Sequence, residues 1–286
     1  SKGNAYVVWT EYESLRRILF NTNKSGQWPA PKRIETIYYG IDDVGFPSFA
    51  TTPDGKCYMA YHDAWAGSME ILFCEYENNW TARKNISETP AGGSAYVSLR
   101  LNPVDNFLYA VWMDGTNFEF QMAYRSRDPV TKSWGTIETI PLFTGGQYLP
   151  DLAIDAKGAA HMVWITRALG NSTVWYTKNP NPKSPTQWTD PVLVQANVGV
   201  EWSWPRIAAD KAGNVYVVWT GKTQGNSDVY LRKKINEKWQ STENISKDAG
   251  ESEQICVAVD QNKGTVYVAW ADNTPGNWEI LLKSYQ

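Results

Sequence analysis

The chain is poor in the residues that most enzymes and metal sites rely on. It has two histidines and three cysteines in 286 residues. No His/Cys cluster has zinc-ligand spacing, and a zinc site needs three or four ligands. No ordered run of oxygen ligands supports calcium, even near Asp42-Asp43. Neither a cofactor nor a metal is therefore expected. Three cysteines are an odd count; Cys57 and Cys74 could face each other across a hairpin while Cys256 lies far away, so a disulfide framework is unsupported and free, buried thiols are expected. No apolar run approaches the ~20 residues that span a bilayer. There is no surplus of positive charge: 27 basic against 30 acidic side chains give −3, which argues against a phosphate-backbone binder and hence against nucleic acid. Gly-x-Ser-x-Gly elbows and glycine-rich phosphate loops are missing. No segment sustains a helical period, so almost no helix is expected.

What the chain has instead is aromatic side chains, including 15 Trp and 16 Tyr, and they recur. Trp9, Trp112, Trp164, Trp219 and Trp270 each end a short apolar run such as Tyr216-Val217-Val218-Trp219, and Tyr61 fills the gap after Tyr58-Met59-Ala60. Successive spacings are 52, 51, 52, 55 and 51 residues. A second series, Trp28, Trp80, Trp134, Trp188 and Trp239, runs at 52, 54, 54 and 51. A fixed period of this size marks a repeat architecture.

Each unit carries four strand signals. A run such as Pro150-Asp151-Leu152-Ala153-Ile154-Asp155 comes first, then a Gly-containing turn, then the Tyr-Val-Val-Trp run. A third strand follows, such as Glu70-Ile71-Leu72-Phe73 or Asp228-Val229-Tyr230-Leu231. A fourth ends like Asn85-Ile86-Ser87 and Asn244-Ile245-Ser246. Four antiparallel strands per unit, with middle strands apolar on both faces, are the signature of propeller blades. The expected fold is all-β: a single domain over 1–286, a six-bladed β-propeller with blade-like units near 1–44, 45–93, 94–146, 147–199, 200–250 and 251–286. The signals open inside a first-to-second turn and close on a third strand. First and last blades are therefore expected to be incomplete, the ring being cut at one seam, with flanking domains of a longer chain as one source of the absent strands.

The pattern Pro-x-Ile-Ala-x-Asp, Gly-Asn-Val-Tyr-Val-Val-Trp and Gly-Asn-x-Glu-Ile, followed by a Trp-led strand, resembles the Asp-box (BNR) repeat propellers of the sialidase superfamily, across the whole chain. The family's Asp box, Ser-x-Asp-x-Gly-x-Thr-Trp, is worn here: Asn21-Thr22-Asn23-Lys24-Ser25-Gly26-Gln27-Trp28 keeps the Trp with Asn in place of Ser and Asp. The resemblance implies an active site at the channel mouth, where sialidases use three carboxylate-clamping arginines, a Tyr/Glu nucleophile and an Asp acid/base. The family's Phe/Tyr-Arg-Ile-Pro string has no match. Pro205-Arg206-Ile207-Ala208 places Arg206 near the mouth, but its repeat counterparts are Ser48, Ser98, Asp151 and Cys256. One arginine does not make a clamp of three.

Other candidate groups are few. His161 stands where other units carry Tyr, and reads as a packed substitute. His62 follows a second strand and reads as a solvated loop residue, with a catalytic base as the sharper alternative. Two places after each second-strand Trp or Tyr come Glu11, Asp63, Asp114, Thr166, Gly221 and Asp272, an acid in four of the six units. These acids suggest a crescent for hydroxyl-rich or cationic ligands, or a glycosidase pair. The reading favoured by their recurrence is that each ties its own loop. Sequons at Asn23, Asn79, Asn85, Asn171 and Asn244 suit a secreted or cell-surface protein, although Asn85 and Asn244 also belong to the repeated Asn-Ile-Ser.

Five tryptophans lie outside both series. Trp175 sits within a third strand and Trp278 begins one. Trp65 follows a second strand, and Trp202 and Trp204 precede a first strand. Those two loop types open onto one propeller face, where Tyr96 and Tyr148 also fall. Rings there either pack loops or form a sugar platform beside Arg206 and the acids. The expected function is an extracellular, non-catalytic binding module for a glycan or polysaccharide. The candidate residues are Trp202, Trp204, Trp65, Arg206, Tyr148, Asp63, Asp114, Asp272 and Glu11. The alternatives are a sialidase-like glycoside hydrolase or polysaccharide lyase, and a structural or protein-binding segment of a larger surface protein.

Overall fold

The computed structural model describes residues 4–12, 16–24, 26–37, 45–65, 67–89, 92–116, 119–140, 146–247, 249–274 and 276–286; at 12, 16, 35–37, 65, 223 and 224 it describes backbone alone. Six small antiparallel sheets stand in a ring as a six-bladed β-propeller. Blades two, three and four each run from an inner to an outer edge in chain order, as in Gln147–Ile154, Ala160–Ala168, Asn171–Asn179 and Val192–Gln195. Blade five splits its outer strand into Lys238–Trp239 and Glu243–Asn244. Among the described residues, blade one (Tyr6–Tyr12, Arg16–Thr22, Lys32–Ile37) has three strands, without an inner one, and blade six (Ser252–Val259, Val266–Asp272, Glu279–Tyr285) has three, without an outer one. The one helical element among the described residues is a 3-10 turn, Pro185–Gln187.

The apolar runs have a plain cause. A middle strand such as Leu108–Asp114 is sandwiched between two neighbouring blades, so it is buried along nearly its whole length. The two tryptophan series divide the packing. Trp112, Trp164 and Trp219 are fully buried in the middle strands. Four of the outer series pack edge-on against the preceding blade, Trp28 being exposed. Trp80 meets Phe20 at 5.3 Å and 88°, Trp134 meets Phe73 at 5.1 Å and 84°, Trp188 meets Tyr124 at 5.8 Å and 84°, and Trp239 meets Tyr176 at 5.2 Å and 86°. The four ring partners hold one register, opposite Val8, Ala60, Val111 and Val163.

Inner strands are tied around the axis by side chains. The Leu99 N–H donates to Ser48 Oγ (2.9 Å), the Leu152 N–H to Ser98 Oγ (3.1 Å) and the Ile207 N–H to Asp151 Oδ2 (3.0 Å). An inner strand has no ladder partner on its axial side, so these acceptors satisfy donors that would otherwise be left over. The outer strands use a second tie. Ser246 Oγ accepts from the Val229 N–H (3.0 Å) and donates to Asp228 (2.8 Å), while Asn244 Nδ2 donates to the same carboxylate (2.8 Å). Ser87 repeats this between the Ile71 N–H and Glu70. Asn85-Ile86-Ser87 and Asn244-Ile245-Ser246 therefore serve as blade fasteners.

Cys57 and Cys74 are buried and free, as expected, but Cys256 is exposed. It lies on the inner strand of blade six, at the repeat position from which Ser48, Ser98 and Asp151 reach the blade that follows. His161 is buried. Its Nε2 donates to Asp155 (3.1 Å) and its Nδ1 accepts from the Tyr176 hydroxyl (2.8 Å). In blade five Tyr216 donates to Asp210 in the same way (3.1 Å). Burial holds the His161 pKa below its ordinary value, against the opposing pull of Asp155. Burial alone would raise Asp155, but hydrogen bonds from His161 and from the Ala159 and Lys157 N–H groups outweigh it and leave that carboxyl lowered.

Two outcomes follow from this packing. Trp134→Ala should cost about 3–5 kcal/mol, typical of a large buried ring, whereas Trp28→Ala, at a site 52% exposed, should stay within about 0.5 kcal/mol. Denaturant titrations of the two variants check this. Because folded His161 refuses a proton that the unfolded chain accepts, stability should fall as pH drops below about 6.5. Asp155, hydrogen-bonded as a carboxylate, adds a share that is present above the ordinary carboxylate value and is lost last, as pH falls through its own lowered one. In His161→Tyr the slope below about 6.5 should shrink by up to about 1.4 kcal/mol per pH unit, measured by denaturation across pH.

Candidate functional site

The site is built where the inner strands begin. Pairing shows a register shift at Gly45/Ser48, Ala95/Ser98, Tyr148/Asp151 and Glu253/Cys256. Each bulge places a non-glycine residue in the left-handed region: Phe46 (φ 35°), Tyr96 (56°), Leu149 (54°) and Gln254 (51°). Such a conformation carries a cost for a bulky side chain, and its repetition in four blades marks it as a designed feature of the strand. In blade five Trp204 holds the same repeat position, followed by Pro205.

Three of these residues close the axis. Phe46 lies 5.3 Å from Trp204 and 5.5 Å from Tyr96, and Tyr96 meets Trp204 edge-on at 5.4 Å and 77°. The contacts join blades two, three and five across the channel. His62 supports them from beneath. It is fully buried on the strand Cys57–Trp65, stacked on Phe46 at 5.7 Å. Its Nδ1 accepts from the Tyr96 N–H at 3.3 Å. The solvated loop histidine expected from sequence is thus a core residue, because the second strand runs longer than its apolar signal suggested. Below the plug lies a cavity of about 290 Å³ with Ser48, Ser98, Arg100, Asp151 and Arg206 in its wall. Arg100 donates to Asp151 Oδ1 at 2.8 Å and also reaches Ser48.

Beside the plug, between blades five and six, is a larger pocket of about 640 Å³. Trp202, Trp204 and Phe46 supply apolar wall, and Arg206, Lys222, Glu251 and Glu253 supply charge. Apart from Phe46, its residues come from the connections into the inner strands and the first residues of those strands, at 200–206 and 251–255, and from the strand ends around the second-to-third turn at 220–227. Glu251 is fixed by Lys222 Nζ (3.4 Å) and by the Ser227 N–H (2.9 Å). Arg206 donates to the Pro205 carbonyl at 3.4 Å, with its guanidinium 5.9 Å from the Trp204 ring centroid. Trp202 is 43% exposed. The Arg167 guanidinium caps it 3.6 Å from the ring centroid and is itself paired with Glu201. Tyr148 meets Trp202 edge-on at 5.6 Å. An aromatic surface with fixed donors and acceptors around it suits a ligand with an apolar face and a polar rim.

The structure thus brings together Trp202, Trp204, Arg206 and Tyr148. Trp65 belongs to blade two by its backbone, and its side chain lies outside the described residues. The four acids do not form an open crescent. Asp272 accepts from Ser252 Oγ (2.9 Å), Trp270 Nε1 (3.1 Å) and the Thr274 N–H (2.8 Å). Asp114 repeats this with Ser94, Trp112 and the Thr116 N–H. Asp63 is buried against the Ala64 N–H and Arg83. Glu11 pairs with Arg17 at 3.5 Å. These carboxylates hold their own loops, with the Trp two residues earlier as donor in two blades. Sequence reasoning missed Phe46, Arg167, Glu251 and Glu253. Alignment on Pro47, Pro150 and Pro205 would have set Phe46 level with Trp204.

No family signature matches this chain, and no curated protein is similar to it in sequence. Solved structures are similar in fold. A leech intramolecular trans-sialidase, complexed with 2,7-anhydro-Neu5Ac, superposes at TM-score 0.67 with 8% identity, over all of this chain and 66% of that one. An α-L-arabinanase of Penicillium chrysogenum complexed with arabinobiose gives 0.62 and 14%, over all of this chain and 90% of that one. An α-L-arabinofuranosidase of Fusarium graminearum with an iminosugar inhibitor gives 0.62 and 12%, with the same coverage.

Proposed function

We propose that the chain is a carbohydrate-binding propeller acting outside the cell, with its glycan or polysaccharide site in the pocket between blades five and six. The observation that carries this reading is the half-exposed Trp202, held by Arg167 on the rim of a pocket that also presents Trp204, Arg206, Glu251 and Glu253. Burying an aromatic face against a sugar's C–H face gains apolar contact, and the charged groups bond its hydroxyls. Support also comes from the structural neighbours, whose bound sugars or sugar mimics occupy propellers of the same kind. Exposed Asn79 within a sequon suits a secreted protein.

The binding role is non-catalytic on this reading. Among the described residues no carboxylate clamp of three arginines is assembled: the channel wall holds Arg100 and Arg206, and Arg100 is already committed to Asp151. A hydrolase reading has one favouring observation, the two carboxylates Glu251 and Glu253 in the same pocket wall. A glycan array followed by product analysis separates the two: saturable binding without consumption supports the module, and released sugar supports the hydrolase.

Trp202→Ala with Trp204→Ala should weaken glycan binding by about 1–3 kcal/mol, the scale of a lost aromatic anchor. Titration calorimetry reads the loss, and circular dichroism checks that the ring persists. A fluorogenic sialoside should not be cleaved; turnover that disappears in Arg206→Ala would overturn the non-catalytic reading.

A further inference from the structure

The two faces at the seam between blades six and one are built as blade interfaces and are left uncovered. On the third strands, Ile18, Ile71, Met122, Val174 and Val229 share one repeat position, and each is fully buried. Their counterpart in blade six, Ile280, is 74% exposed. Two residues on, Phe20, Phe73, Tyr124, Tyr176 and Leu231 are buried while Leu282 is 67% exposed. The facing wall shows the same reversal. Met59, Ala110, Met162, Val217 and Val268 are fully buried, and Val7 of blade one is 44% exposed. Among the described residues nothing pairs with the inner edge of Tyr6–Tyr12 or the outer edge of Glu279–Tyr285. Paired apolar faces of this kind, flanked by open strand edges, mark an interaction site.

The repeat specifies what fits there. The two absent strands are a fourth strand and the first strand after it, which in every complete junction form one continuous segment. Glu279 pairs with Asp272, as Glu70 pairs with Asp63 and Asp228 with Gly221. Glu70 and Asp228 each receive the serine of an Asn-Ile-Ser strand, so Glu279 is set to receive another. On the axial side, Phe49 holds the position of Leu99, Leu152 and Ile207. Their N–H groups donate to Ser48, Ser98 and Asp151 of the preceding inner strand. An inner strand added to blade one would place a hydroxyl or carboxylate against the Phe49 N–H.

We propose that the seam is a docking site for one extended partner segment. Its Asn-Ile-Ser-like stretch adds to the outer edge of blade six on Glu279. Its next strand, carrying Ser or Asp, adds to the inner edge of blade one. Recognition is strand addition: backbone bonds give affinity, and the apolar walls and the two side-chain ties give selectivity.

A synthetic peptide copying residues 77–107 of this chain, which contains Asn85-Ile86-Ser87 and Ser98, is the probe. It should bind the full chain one to one by calorimetry, and hydrogen exchange should slow in 6–12 and 279–285. Ile280→Lys with Leu282→Lys should weaken binding at least about tenfold and leave the chain's own melting temperature unchanged, both side chains being exposed. Peptide carrying Ser87→Ala and Ser98→Ala should bind more weakly than the parent peptide. Absence of binding, binding indifferent to the lysine variant, or a peptide-free dimer that protects the same two strands overturns the proposal.

Discussion

The edge-to-face contact between an outer tryptophan and the aromatic ring of the preceding blade sets the spacing on which the ring depends. A four-stranded sheet with two apolar faces cannot stand alone in water, since both faces need a neighbour. Four junctions solve this with rings at nearly right angles, 84–88°, the arrangement that aligns a positive ring edge with a negative ring face. Where blade five meets blade six, Leu231 takes the ring's place within a mostly aliphatic cluster that also holds Tyr216 and Trp270. The contact is local to each junction, so stability accumulates around the ring. An unmatched face, such as the one that Ile280 and Leu282 present, weakens one junction without dissolving the others.

The same repeat that builds the blades decides which polar groups are free to meet a ligand. Asp63, Asp114, Asp272, Glu70 and Asp228 are all acids near the loop ends, and all are consumed by ties within or between strands. Freedom appears where a blade departs from the repeat. Blade five has Arg206 where others have Ser, Asp or Cys, and it carries a second ring, Trp202, ahead of Trp204. Blade six contributes Glu253 where others have Gly45, Ala95, Tyr148 and Ser203, and Gln254 where others have aromatic or aliphatic residues. The pocket between them is the place where repeat constraints are relaxed on both walls.

How much of this the sequence disclosed depended on the range of the signal. Strand identity and blade number were plain because Trp9, Trp112, Trp164, Trp219 and Trp270 mark a period that only a repeated, doubly buried strand would keep. The short blades at each end were legible from the same count. The placement of Trp202, Trp204 and Arg206 on one rim followed from loop position alone. The role of Asp114 and Asp272 was less plain, because an acid two residues after a tryptophan reads equally as ligand group or loop tie until the indole N–H is seen to donate to it. His62 was misplaced, since periodicity locates a strand's middle better than its end. Phe46, Arg167 and Glu251 were hidden, because contacts across the axis or between adjacent blades join residues far apart in the chain.

The axial ties also give the ring a direction. Each acceptor, Ser48, Ser98 or Asp151, serves the backbone of the blade that follows and none serves its own. A blade is thus a one-way connector, with a side-chain socket on its leading side and a backbone plug on its trailing side. Any duplicated or transplanted unit keeps the chain of connectors intact only when its inner strand carries a small acceptor at that one position. Arg206, a donor without acceptor atoms, is the point at which the sense of rotation is interrupted.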